Sequence, residues 1–61
     1  MEDNIRERLK VFKEDEGVSY KYIAKILNIG ASTFYNFTSE LRSLPASDLT
    51  NLDLYLKERG Y

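Results

Sequence analysis

The stretch from Gly17 to Phe37, GVSYKYIAKILNIGASTFYNF, sets two short helical patterns on either side of a three-residue break, and that spacing narrows what the chain can fold into. Ser19 is a favourable N-cap, and Ile23, Ala24 and Leu27 recur on one helical face, which predicts a helix over residues 20–27. Asn28-Ile29-Gly30 then combines a residue tolerant of left-handed backbone, a hydrophobe and a glycine, the chemistry of a turn between helices. Ala31-Ser32-Thr33 opens a second helix that sends Phe34 and Phe37 inward and projects Ser32, Tyr35, Asn36 and Ser39 to the other side at successive turns. The small side chain of Ala24 suits two helices crossing steeply, where a larger group would overpack. The expectation is a helix-turn-helix over about residues 19–38, with its second helix over 31–38.

The flanking segments supply a core. Ile5, Leu9 and Phe12 form one stripe of a helix expected over residues 4–15, with Asp3 or Asn4 as its cap, early acids Glu2, Asp3 and Glu7 at its positive end, and Gly17 as its stop. Val11 lies off the stripe, at the border of a contact with the last helix. Arg6, Arg8, Lys10 and Lys13 are expected to face outward. Tyr22 and Ile26 lie away from the Ile23 face: either one of them packs on the first or last helix, or the pair is a surface for a protein partner. Residues 39–44 read as an irregular turn that returns Leu41 and Leu44 to the core. Pro45 starts a final helix over residues 46–59, with Leu49, Leu52 and Leu56 inward, Leu54 almost opposite, and Gly60 beyond the last basic turn of Lys57 and Arg59. The expected fold is all-α, a compact bundle of four, at most five, short helices. Its core is expected to comprise Ile5, Leu9, Phe12, Ile23, Ala24, Leu27, Ile29, Phe34, Phe37, Leu49, Leu52 and Leu56.

At 61 residues the chain reads as one domain, which buries only about 60% of its unfolded surface. Cysteine and histidine are both absent, so disulfides and the usual zinc ligands are excluded and no metal or cofactor is expected. The acids follow no metal-loop spacing and no glycine-rich phosphate loop exists, so an enzyme is not the expectation and no small-molecule ligand is evident. Adjacent acids such as Asp15-Glu16 read as solvated charges. No apolar run approaches the ~20 residues needed to cross a bilayer, which leaves no membrane partner and a cytoplasmic setting as the expectation.

The formal net charge is −1, from nine bases and ten acids, which is unlike a simple basic nucleic-acid binder. Charge placement changes the weighting. Between Gly17 and Ser47 the ionised residues are Lys21, Lys25, Arg42 and Glu40, three bases and one acid, or +2, while the acidic residues gather before and after. A weakly positive face with acidic surroundings suits specific binding and weak non-specific affinity.

The motif resembles the DNA-binding domain of the phage repressor and Cro-like family, the lambda repressor-like domains. The resemblance rests on Gly17-Val18-Ser19 before the first motif helix, Ile23, Ala24 and Leu27 within it, Ile29 in the turn and Ser32-Thr33-Phe34 opening the second, and it extends from Asn4 to Leu56. The chain departs from the family at Asn28, where glycine is usual, and at Tyr20, where glutamine is frequent. The resemblance implies sequence-specific binding of double-stranded DNA by a small transcriptional regulator of phage or prokaryotic type. Residues 31–38 would then enter the major groove, with Ala31, Ser32, Tyr35, Asn36 and Ser39 at bases, and Ser19, Tyr20, Lys21, Lys25 and Arg42 at phosphates. The alternative is a protein-interaction module that keeps the fold without binding DNA, favoured by the acidic balance and by Tyr20, Tyr22 and Tyr35 near the motif. Leu54, Tyr55 and Tyr61 are the apolar material for a homodimer through the last helix, which would pair two DNA half-sites.

Overall fold

A computed structural model describes residues 2–61, which form α1 (Glu2–Glu16), α2 (Tyr20–Ile26), α3 (Ala31–Thr38) and α4 (Ala46–Glu58), with no strand among the described residues. α1 packs against α4, and α2 against α3. The whole is compact, with a radius of gyration of 10.3 Å. No helix of the described residues is long and apolar enough to cross a membrane.

Where helical periodicity put hydrophobes on one face, the core is as expected. Ile5, Leu9, Phe12, Ile23, Ala24, Ile29, Phe34, Phe37, Leu44, Leu52 and Leu56 are buried, while Leu27 and Leu49 pack against this cluster half-buried. Tyr55 is a core residue too, only 9% exposed, set edge-on to Phe12 with ring centroids 5.7 Å apart. The Tyr61 ring also meets Phe12, with centroids 5.2 Å apart, and its hydroxyl donates to the carboxylates of Asp15 and Glu16 at 3.0 and 3.2 Å. Burial first, and then those two carboxylates, push the Tyr61 phenol up to about 12. Both tyrosines are thus drawn into packing between α1 and α4, while Leu54 remains half-exposed.

The ends of all four helices are closed by residues in left-handed backbone: Gly17 (φ 66°), Asn28 (φ 57°), Glu40 (φ 64°) and Gly60 (φ 84°). After α2, α3 and α4 the closure is a Schellman motif, in which Ile29, Leu41 and Tyr61 N–H groups donate to the Ala24, Asn36 and Leu56 carbonyls at 2.9, 2.8 and 2.9 Å. Asn28 is therefore the left-handed residue of the α2–α3 connection, and Gly30, at φ −58°, is the N-cap of α3. Glu40 was not foreseeable as a helix stop, because nothing in a glutamate favours that conformation. Its consequence falls on Leu41, which is 75% exposed rather than buried: the Leu41 and Arg42 N–H groups both bond to the Asn36 carbonyl, and the side chain is left outside. α1 begins at Glu2, earlier than expected, so Asp3 and Asn4 lie inside the helix instead of capping it.

Arg6 and Arg8 do not face outward as expected; they tie α1 to the rest of the chain. Arg6 Nε donates to the Phe37 carbonyl at 2.6 Å, and Arg6 Nη2 to the Arg42 carbonyl at 3.3 Å. Arg8 Nη1 meets Asp53 at 2.6 Å, while its Nε donates to the Tyr61 carbonyl at 2.8 Å. The Arg8 bond, with Lys57 adding a second at 3.1 Å, holds the Asp53 carboxyl below its ordinary range. A long cationic side chain on the flank of an apolar stripe buries its stem and bonds with its tip, and in this fold the tips find carbonyls across the bundle.

Candidate functional site

α3 has two contrasting faces. Phe34 and Phe37 are wholly buried and anchor the helix, while Ala31, Ser32, Tyr35 and Ser39 are exposed and carry short or aromatic side chains without charge. Thr33, not among the expected contacts, is exposed as well. Asn36 is only half-exposed, and its backbone carbonyl accepts the Leu41 and Arg42 N–H groups. Its side-chain amide forms no hydrogen bond within the described residues, and Thr38 turns its hydroxyl inward to the Tyr35 carbonyl at 3.0 Å.

The start of α2 lies against this helix through aromatic contacts. The Tyr20 ring meets Phe34 at 6.0 Å and Tyr35 at 6.3 Å between centroids, the latter at 90°, and the Lys13 ammonium sits 5.1 Å above the Tyr20 ring. The edge-to-face pair fixes the exposed Tyr35 from its base, a coupling between two helices that periodicity along either one does not reveal. Burial, and after it the Glu14 carboxylate, raise the Tyr20 phenol above its ordinary value, so the hydroxyl remains a proton donor at neutral pH. Ser19 caps α2, its Oγ accepting the Tyr22 N–H at 3.1 Å, which leaves the hydroxyl proton available to an outside acceptor.

Three cations accompany these elements. Lys21 and Lys25 are exposed on α2, and Arg42 is exposed just beyond α3. None of the three side chains has a carboxylate partner among the described residues; Lys10 and Lys13 of α1 have none either, whereas Arg6, Arg8, Lys57 and Arg59 do. Elsewhere an open cleft of about 350 Å³ between α1, Tyr20 and Thr38 mixes the acids Asp3, Glu7 and Glu40 with the bases Arg6 and Lys10. Tyr22 and Ile26 are 52% and 45% exposed and border a groove of about 310 Å³ with Phe12 and Tyr55. Comparison with protein-family models, curated proteins and solved structures finds no match to this chain.

Proposed function

We propose that the chain binds double-stranded DNA sequence-specifically through a helix-turn-helix formed by α2 and α3, as a small transcriptional regulator of the phage repressor and Cro-like kind. The observation that carries this reading is the exposed, uncharged face of α3 together with three cations, Lys21, Lys25 and Arg42, that have no carboxylate partner within the described residues. Surface cations left unpaired in a chain with ten acids are available to phosphates. Short side chains on the helix between them let its backbone come close to base edges.

In this reading Ser32, Ser39 and the Ala31 methyl lie along the major-groove floor, with hydroxyls for base edges or phosphates and the methyl for a thymine. Asn36, whose amide has no hydrogen-bond partner among the described residues, pairs it with an adenine, and Tyr35, braced by Tyr20, contacts backbone or a thymine methyl. Ser19 and Tyr20 donate hydroxyl protons to a phosphate near the start of α2, and Lys21, Lys25 and Arg42 supply the electrostatic term.

Selection of bound sequences from random duplexes tests the reading. An enriched motif is the expected result; Asn36→Ala should then lose roughly 1–3 kcal/mol on that motif and relax one position, while Lys25→Ala weakens all duplexes alike. Recovery of no motif would transfer the fold to protein interaction.

A further inference from the structure

We propose that Leu41 is a specificity-determining residue of the DNA interface, covering the methyl group of a thymine within one base step of the adenine paired by Asn36; the inference rests on the DNA-binding reading above and adds to it a base contact from outside α2 and α3. Leu41 is 75% exposed, the most open of the large hydrophobics among the described residues. Three helices end in the same motif, and in two of them the position that Leu41 holds is packed. After α2 and α4 the residue that follows the left-handed one is Ile29 or Tyr61, and both pack on the core. The helix residues whose carbonyls they bond, Ala24 and Leu56, are themselves buried. After α3 the corresponding pair is Leu41 and Asn36, and the leucine lies outside.

The motif accounts for where the leucine stands. Its apolar side chain leans on the helix residue whose carbonyl it bonds, or on the one before that. Here those are Asn36, polar and half-exposed, and Tyr35, 51% exposed. Neither leads into the core, so the leucine borders the two side chains assigned to bases. Its backbone is tied down: the Leu41 N–H bonds the Asn36 carbonyl at 2.8 Å, the Arg42 N–H reaches the same oxygen at 3.2 Å, and Arg6 bonds the Arg42 carbonyl at 3.3 Å. Little backbone freedom is therefore lost on binding. Glu40, Arg42 and Ser43 around it are polar and exposed, so no apolar run continues from Leu41 to form the patch that a protein partner needs. A single apolar group beside a free amide matches an A·T step instead, where the adenine edge presents a donor and an acceptor and thymine presents its methyl in the same major groove. Arg42, the next residue, then falls to a phosphate flanking that step.

Replacing each thymine of the selected duplex in turn with deoxyuridine, which removes only the methyl, tests the proposal with wild type and Leu41→Ala side by side. Wild type should lose about three- to tenfold in affinity at a thymine within one base step of the adenine whose identity Asn36→Ala relaxes. Leu41→Ala should bind the unmodified duplex more weakly by a similar factor and be indifferent to that deoxyuridine. Its melting midpoint and salt slope should stay those of wild type, because the residue is exposed and uncharged. The proposal is overturned by a scan with no sensitive thymine near that adenine, by a Leu41→Ala variant that keeps the sensitivity, or by one whose midpoint falls, which would make the leucine a structural residue. No enriched motif at all would overturn the DNA-binding reading and this contact with it, whereas a motif whose methyl sensitivity ignores Leu41 overturns the contact alone.

Discussion

Arg6 grips Phe37 twice: Nε donates to its carbonyl at 2.6 Å, and the guanidinium carbon stands 4.4 Å from the centre of its ring. The bonded carbonyl lies in the last turn of α3, where the helix dipole favours a cation. The same guanidinium reaches the Arg42 carbonyl, so one side chain of α1 secures both the end of the exposed helix and the segment after it. Arg6→Met should lower stability by about 1–3 kcal/mol in urea unfolding. A midpoint equal to that of wild type would show that the contact contributes nothing.

Phe34 is wholly buried beside Phe37 and under the Tyr20 ring. Phe34→Ala should cost on the order of 3–5 kcal/mol, against a total of roughly 3–9 kcal/mol for a domain of this size. Thermal unfolding followed by circular dichroism should therefore show a midpoint lowered by roughly 12–40 °C, and a midpoint near that of wild type would refute the placement of Phe34 in the core.

Glu40 is held at φ 64°, a conformation that costs a side-chain-bearing residue roughly 1–2 kcal/mol relative to glycine. Part of that gain is offset by the greater freedom of glycine in the unfolded chain. Glu40→Gly should raise stability by about 0.5–1 kcal/mol in denaturant titration. A lower midpoint would mean that the glutamate side chain makes a stabilising contribution larger than its backbone strain.

Asp53 has its carboxyl held below the ordinary value of 3.8, first by the Arg8 hydrogen bond and then by that of Lys57. A depressed folded-state value contributes stability that is present above the unfolded value and lost as pH falls through the folded one. Wild type should thus exceed Asp53→Asn in melting midpoint at neutral pH, and the gap should narrow as pH falls below about 4. A gap that stays constant down to about pH 2 would remove the ion pair from the explanation.

The helices were legible because their apolar residues recur at helical spacing: Ile5, Leu9 and Phe12, then Ile23, Ala24 and Leu27, then Leu52 and Leu56 each mark a face that the fold turns inward. What periodicity could not express were choices made between elements. Whether Tyr55 packs or protrudes depends on Phe12, far away in sequence. Whether Arg8 is solvated or tethered depends on Asp53 and Tyr61. Leu41 followed the pattern of a core leucine, yet the left-handed Glu40 before it directs the chain outward. In the candidate site, the exposure of Ser32, Tyr35 and Ser39 was legible from the burial of Phe34 and Phe37 opposite them. The partial burial of Asn36 was not, nor the closing of the 41–42 backbone onto its carbonyl, which accompanies that same stop at Glu40.

The most direct measurement of the DNA-binding proposal is a titration of the wild-type chain onto its best selected duplex and onto a scrambled duplex of equal composition, each over a range of salt concentrations. With Lys21, Lys25 and Arg42 as the phosphate contacts, the logarithm of affinity should fall with the logarithm of salt at a slope of about −3, the slope should be similar for both duplexes, and the preference for the selected duplex should persist at every salt concentration. Equal affinity for the two duplexes throughout, or no binding to either at low salt, would contradict sequence-specific DNA recognition by this protein.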